Sequence, residues 1–129
     1  MGAVDPNMPV LLVDEYKTMI RALRKLMKQL GFENVDEAKD AKQALEMLRS
    51  QPYSLVISDL ELAPMSGLDL LREVRSDSDL SRVAFVVIAA DDKNGNASDA
   101  KAAGASDYIV KPFNAASLRV RLTSILGRS

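Results

Sequence analysis

The sequence predicts an α/β fold, a doubly wound (βα)5 domain in which a five-stranded parallel sheet carries helices on both faces. Two apolar runs, SLVIS at 54–58 and AFVVIA at 84–89, are continuous rather than alternating, which is typical of strands buried on both faces. Helical patterns of roughly 10–15 residues lie between the apolar runs, and each parallel crossover needs such a helix. The 129 residues suffice for one domain with a substantial core, but are few for two.

Five apolar runs are predicted to form the strands. In chain order they are PVLLV at 9–13, the weaker NVDEA at 34–38, SLVIS at 54–58, AFVVIA at 84–89 and DYIV at 107–110. No internal repeat or linker separates these runs. We therefore expect a flexible leader over 1–8 and a single domain over 9–129.

Periodic apolar residues and capping residues predict the five helices. The first helix carries Met19, Leu23, Leu26, Met27 and Leu30 on one face, and Gly31 is suited to end it. The second begins with a capping box formed by Asp40 and Gln43. Ser66 and Asn114 are expected to cap the third and fifth helices. The expected inner faces are Leu68, Leu71 and Val74 for the third helix, Ala97, Ala100 and Ala103 for the fourth, and Leu118, Leu122, Ile125 and Leu126 for the fifth.

Composition excludes several classes of function. With 17 basic and 18 acidic side chains, the net charge of −1 favours neither nucleic acid nor an anionic membrane as a partner. The absence of Cys and His excludes disulfides, zinc sites built on these residues and Ser-His triads, so any metal must be held by oxygen. No signal peptide and no apolar run long enough for membrane insertion is visible, so we expect a cytoplasmic protein.

Charged residues follow four of the five predicted strands. Asp14 and Glu15 follow the first, Asp59 the third, Asp91-Asp92 the fourth, and Lys111-Pro112 the fifth. The carboxyl ends of parallel strands meet at the edge where such folds bind ligands. Each acid alone could open a helix or lie in a solvated loop. Together they would repel one another, which favours a hard divalent cation as their ligand.

Four segments of the chain carry a resemblance to a known family. They are LLVDEYKTM, LGFENVDEAKDAKQAL, LVISDLELAPMSGLDLLREVR and AAGASDYIVKPF. In these segments the chain resembles the receiver domains of bacterial two-component response regulators, most of all the single-domain chemotaxis regulators of the CheY type. The similarity extends from residue 9 to about residue 127. It implies a flavodoxin-like, CheY-like fold and a phosphorylated signalling protein rather than an enzyme, with self-phosphotransfer and slow auto-dephosphorylation as its chemistry.

The resemblance also implies a role for each residue of the site. Asp59 is the expected phosphoacceptor, taking its phosphoryl group from a histidine kinase or a histidine phosphotransfer protein. Mg²⁺ or Mn²⁺ is the expected cofactor. The implied metal-binding residues are Asp14 through water, Glu15, Asp59 and the carbonyl of Glu61; the phosphoryl-binding residues are Lys111 and Ala90; the switch positions are Ala89 and Tyr108; and the cis peptide joins Lys111 to Pro112.

Three positions depart from the pattern of the family. Ala89 stands where Thr or Ser is usual, so the hydroxyl that normally contacts the phosphoryl group is missing. Glu15 replaces the usual Asp, and its extra methylene is expected to weaken or alter metal binding. Pro64 lies one place later than usual, which predicts a different approach of its loop to the metal. We expect any switch to run through the backbone of residues 90–95.

The expected output is contact with a target protein, because the receiver domain accounts for residues 9–129. Tyr108 and the last helix, with Arg119, Arg121 and Arg128, form the face expected to meet an acidic partner. Two alternatives stay open. The chain could be a pseudo-receiver that binds proteins independently of phosphorylation, or a small Mg²⁺-dependent phosphohydrolase with Asp59 as its nucleophile.

Overall fold

A computed structural model describes residues 5–126, which form a five-stranded parallel sheet in the order β2-β1-β3-β4-β5 with five alternating helices. The strands are β1 (Val10–Val13), β2 (Val35–Ala38), β3 (Leu55–Asp59), β4 (Ala84–Ala89) and β5 (Asp107–Val110). The helices are α1 (Lys17–Gln29), α2 (Ala41–Ser50), α3 (Gly67–Ser76), α4 (Asn96–Ala102) and α5 (Ala115–Leu126). The predicted doubly wound (βα)5 fold is confirmed.

The strand order places a switch point between β1 and β3. From β1 the chain crosses to β2 on one side, and the later strands are added on the other side of β1. Val13 is in register with Ser58, and Asp59 is in register with Ile88. The carboxyl ends of β1, β3 and β4 therefore lie at one edge of the sheet, where doubly wound folds bind their ligands.

Two apolar layers enclose the sheet and account for its continuous hydrophobic strands. Leu12, Ile57 and Ile88 pack in the layer that contains α1 and α5. Leu11, Val56 and Val87 pack in the layer that contains α2, α3 and α4. Successive strand residues point to opposite faces, so a strand covered on both sides needs an apolar residue at nearly every position.

The expected capping residues begin and end the helices. Asp40, Ser66 and Asn114 each accept a hydrogen bond from the backbone N–H three residues further on. Gly31 follows the last turn of α1 with φ of +96°, a conformation that glycine adopts at little cost. Its N–H and that of Phe32 bond to carbonyls of the final turn of α1, as in a Schellman motif.

The buried face of α3 differs from the expected one at a single position. Leu70, Leu71 and Val74 are fully buried, whereas Leu68 is only partly buried at the edge of the core. The helix begins at Gly67, so positions 67, 70, 71 and 74 turn towards the sheet and Leu68 lies to one side.

Residues 5–8, which were expected to belong to the flexible leader, are held against the domain. The carbonyl of Pro6 accepts a bond from the N–H of Glu33, and that of Asn7 accepts one from the side chain of Asn34. Met8 packs against the core layer of α1 and α5. Residues 1–4 lie outside the described residues. Within 5–126, none of the helices combines the length and apolar character that crossing a membrane requires.

Candidate functional site

Asp59 is the last residue of β3, and its side chain is only 3% exposed. The Nζ of Lys111 lies 3.5 Å from its Oδ1, which is an ion-pair contact too long for a good hydrogen bond. None of the described residues donates a hydrogen bond to this buried Oδ1. A buried carboxylate oxygen without a donor is unusual, which indicates a site prepared for a cation or a reacting group.

Asp14 directly follows β1 and is also buried, with 2% of its surface exposed. Its Oδ1 accepts a hydrogen bond of 2.9 Å from the N–H of Tyr16, just before α1 begins. Burial raises the pKa of Asp14 above its ordinary value; the charges of Asp59 and Glu15 raise this pKa further, while the Tyr16 N–H and Lys111 lower it. The two carboxylates therefore converge, as the sequence predicts.

Replacing Asp14 by asparagine is expected to stabilise the metal-free protein at pH 7 by about 1 kcal/mol. The amide oxygen can still accept the bond from Tyr16, but the desolvated charge is gone. Because the pKa of Asp14 is raised in the folded protein, ionised Asp14 destabilises the fold at pH values above that pKa. This destabilisation vanishes below the pKa that Asp14 has in the unfolded chain, where the carboxyl group is protonated in both states. Urea unfolding of the unaltered chain and of Asp14→Asn checks the prediction, in EDTA and at pH values from below the unfolded-state pKa of Asp14 up to pH 7. Equal stabilities at pH 7 would contradict it.

Glu15 and Glu61, the other two acidic residues predicted for the metal site, differ from this pair in their burial. Glu15 and Glu61 are exposed, and in the described part of the chain no three acidic side chains are grouped as a ready metal site. The donors present nevertheless fit a hard divalent cation, because two buried carboxylates converge and Asp59 Oδ1 lacks a donor. Such a cation would be held by Asp14 and Asp59, with carbonyl oxygens and water completing its shell.

The loops around Asp59 contain both cis peptide bonds of the described residues, Ala63–Pro64 and Lys111–Pro112. The N–H of Lys111 bonds to the carbonyl of Ala89 at 2.9 Å, which continues the pairing of β5 with β4. The Ala89 methyl group is buried, whereas Ala90 is exposed. Ala89 therefore ends β4 beside the site without offering it a hydroxyl.

Tyr108 is bonded to the loop that follows β4. Its hydroxyl donates a 2.6 Å hydrogen bond to the carbonyl of Asp91. Burial raises the pKa of this hydroxyl, and the charges of Asp92 and Asp91 raise it further. Asp92 itself accepts a bond from the N–H of Ala97 in the first turn of α4. The Tyr108 hydroxyl thus contacts a backbone carbonyl of the loop over 90–95, and this contact does not need a hydroxyl at position 89.

Gly67 at the start of α3 also belongs to the site, although its sequence context indicates only a helix start. A Cβ atom built there would lie 2.1 Å from the carbonyl oxygen of Asp59. The N–H of Gly67 bonds to the carbonyl of Leu60 at 3.0 Å. Glycine is therefore required by the close approach of the start of α3 to the end of β3, and a run of sequence carries no local signal for such an approach.

Comparisons with known proteins agree with this geometry. The family model for the response regulator receiver domain matches residues 10–123. The chemotaxis protein CheY-3 of Vibrio cholerae serotype O1 is 38% identical over 125 residues, covering 97% of this chain and 96% of that protein. The chemotaxis protein CheY of Pseudomonas aeruginosa is 37% identical over 121 residues, covering 94% of this chain and 98% of that protein.

Two solved structures share the fold closely. Chemotaxis protein CheY4 of Vibrio cholerae superimposes with a TM-score of 0.85 at 25% identity, covering 93% of this chain and 99% of that one. The receiver domain of the Pseudomonas aeruginosa sensor histidine kinase PA1611, solved with a magnesium ion in its active-site cleft, gives 0.85 at 26% identity, covering 95% and 99%. From its sequence, its fold and its converging acids, the chain belongs to the response regulator receiver domains of two-component signalling and is similar to CheY.

Proposed function

We propose that this receiver domain accepts a phosphoryl group on Asp59 from the phosphohistidine of a histidine kinase or a histidine phosphotransfer protein. The observation that carries the proposal is the buried Oδ1 of Asp59, which has Lys111 Nζ at 3.5 Å and no hydrogen-bond donor within residues 5–126. An oxygen in this state keeps its lone pairs available for attack on phosphorus. The cytoplasm is the compartment proposed for this exchange.

The residues of the site suit this transfer. A carboxylate oxygen of Asp59 attacks phosphorus, the bond from phosphorus to the donor imidazole breaks, and the electron pair of that bond stays on the imidazole nitrogen. Lys111 lies where its ammonium group can offset the charge of the phosphoryl oxygens. Mg²⁺ held by Asp14 and Asp59 would supply further charge neutralisation, as magnesium does in phosphoryl transfer generally. A contribution of Glu15 and the Glu61 carbonyl to that site is part of the proposal.

Incubation with acetyl phosphate and Mg²⁺ is expected to add one phosphoryl group to the protein, because Asp59 combines burial with available lone pairs. Asp59→Asn is expected to remain unlabelled. Intact-mass measurement with and without Mg²⁺ provides the test, and Asp69→Asn, at an exposed acid of α3, is the matched control that should label normally. Labelling of Asp59→Asn equal to that of the unaltered chain would refute Asp59 as the acceptor.

We further propose that the target protein binds near Tyr108 and α5. Arg119 is exposed on α5, and the helix carries no acidic residue. Arg121, expected to be part of the same basic face, bonds to Asp107 at 2.9 Å and to the carbonyl of Tyr108, so it ties α5 to β5. Arg128 lies outside the described residues. An acidic partner segment would therefore meet Arg119 more directly than Arg121.

A pseudo-receiver is the second candidate function, and two observations favour it. Ala89 offers no hydroxyl to a phosphoryl group, and the Glu15 side chain is exposed whereas Asp14 and Asp59 are buried. In that case the protein would bind its partner without phosphorylation. Absence of labelling in the acetyl phosphate experiment, under conditions that label another receiver domain, would favour this second function.

A further inference from the structure

Ser58 is one of three polar residues that are buried among the described residues, and the other two are Asp14 and Asp59. It precedes Asp59 in β3, with no surface exposed to solvent. Neighbouring strand residues point to opposite faces, so Ser58 shares its side of the sheet with Val56, in the layer of α2, α3 and α4. A hydroxyl in this otherwise apolar layer needs a hydrogen-bond partner, because burying a hydroxyl without a hydrogen bond costs free energy of folding.

The partner of this hydroxyl is the backbone of Asp59. Ser58 Oγ donates a hydrogen bond of 3.0 Å to the Asp59 carbonyl oxygen. Gly67 presses against the same oxygen so closely that an added Cβ would lie 2.1 Å away. The Gly67 N–H does not donate a hydrogen bond to the Asp59 carbonyl oxygen, because it donates to the carbonyl of Leu60 instead. Close packing by Gly67 leaves little room for water on that side, and the serine supplies a donor from within the protein.

We propose that Ser58 is a positioning residue for phosphotransfer to Asp59. Its hydroxyl satisfies the buried carbonyl of Asp59 while α3 packs against it, which fixes the backbone from which the carboxylate approaches Lys111. This inference rests on the proposed function of Asp59 as the phosphoacceptor. Ser58 touches no reacting atom, so it acts through the placement of its neighbour.

Loss of the hydroxyl removes a donor from a carbonyl that the fold keeps from water. The backbone at Asp59 is then expected to shift towards another donor, and the carboxylate shifts with it. Phosphoryl transfer depends steeply on the alignment of the attacking oxygen, so a small displacement lowers the rate more than it lowers donor binding.

Ser58→Thr and Ser58→Val form the matched pair that tests the proposal, because the two side chains have the same shape and only threonine has a hydroxyl. Labelling rates are measured against acetyl phosphate concentration, with Mg²⁺, at a temperature where circular dichroism shows both variants folded. The threonine variant is expected to retain nearly the full maximal rate. The valine variant is expected to show a maximal rate about tenfold lower, with an unchanged half-saturating concentration.

Equal maximal rates for the threonine and valine variants would overturn the proposal, even if valine lowered the stability. If the valine variant does not fold, Ser58→Ala replaces it, since alanine removes the hydroxyl without adding a methyl group. A rate for this variant equal to that of the unaltered chain would again overturn the proposal. Failure of the unaltered chain to become labelled would instead remove the proposed function, and the role of Ser58 with it.

Discussion

Replacing Gly67 by alanine is expected to lower the free energy of unfolding by about 3 kcal/mol. The new Cβ would stand 2.1 Å from the Asp59 carbonyl oxygen and 3.0 Å from the carbonyl carbon, and both atoms belong to backbone that cannot rotate aside. Relief requires α3 to move away from the end of β3. The same movement would displace Asp59, so phosphorylation by acetyl phosphate is expected to slow as well.

Urea unfolding of Gly67→Ala and Gly31→Ala measures this effect against a matched control. Within the described part of the chain, a Cβ at Gly31 would contact nothing within 4 Å, but its φ of +96° is unfavourable for alanine. Gly31→Ala is therefore expected to lose only about 1 kcal/mol, from backbone strain far from the site. A loss at Gly67 no larger than that at Gly31 would show that the close approach is readily relieved.

The second large effect is expected at Arg75, which joins three segments of backbone. Its guanidinium donates to the carbonyl of Gly104 at 2.9 Å and to those of Ser81 and Val83 at 3.1 and 2.6 Å. These bonds fix the end of α3 to the loop before β4 and to the turn after α4. Burial lowers the pKa of Arg75, and no carboxylate within residues 5–126 forms an ion pair with it.

Arg75→Leu is expected to lower the free energy of unfolding by about 3 kcal/mol, because three carbonyls lose a charged donor at once. Arg75→Lys should lose an intermediate amount, since a lysine keeps the charge but cannot span all three acceptors in the same way. Thermal and urea unfolding provide the measurement.

Arg72→Leu is the control for this prediction, on the same helix. Arg72 is exposed and forms a 3.4 Å contact with Asp69, a type of surface pair that contributes little. Its replacement is expected to change the stability by less than about 0.5 kcal/mol. Equal losses for Arg72→Leu and Arg75→Leu would show that the three carbonyl contacts of Arg75 do not stabilise the fold.

Much of the fold could be predicted from local patterns. The runs at 84–89 and 107–110 are strands with the predicted bounds, and Asp40, Ser66 and Asn114 cap their helices. These features depend on short-range chemistry, namely apolar periodicity and side chains that reach the adjacent N–H groups. The difference in α3, where Leu70 rather than Leu68 is buried, arises although the helix begins at the expected residue, because its orientation on the sheet turns positions 67, 70, 71 and 74 inwards.

The convergence of Asp14, Asp59 and Lys111 could also be predicted, because parallel strands bring their carboxyl ends to one edge. That argument places residues at an edge but does not orient their side chains. Only the tertiary structure decided that Asp14 is buried while Glu15 is exposed. It also decided that Arg121 forms an ion pair with Asp107.

The sequence by itself determined the strand and helix order, the restriction of any metal to oxygen ligands and the convergence of Asp14 and Asp59 at one edge of the sheet. Only the tertiary structure shows the contacts of Ser58, Gly67 and Arg75. All three act on backbone carbonyls, and the separation in sequence ranges from one residue for Ser58 to 29 residues for the contact of Arg75 with Gly104. Side-chain patterns report burial and local capping, but every residue carries the same carbonyl group, so only the folded chain shows which carbonyls need a donor or a close neighbour.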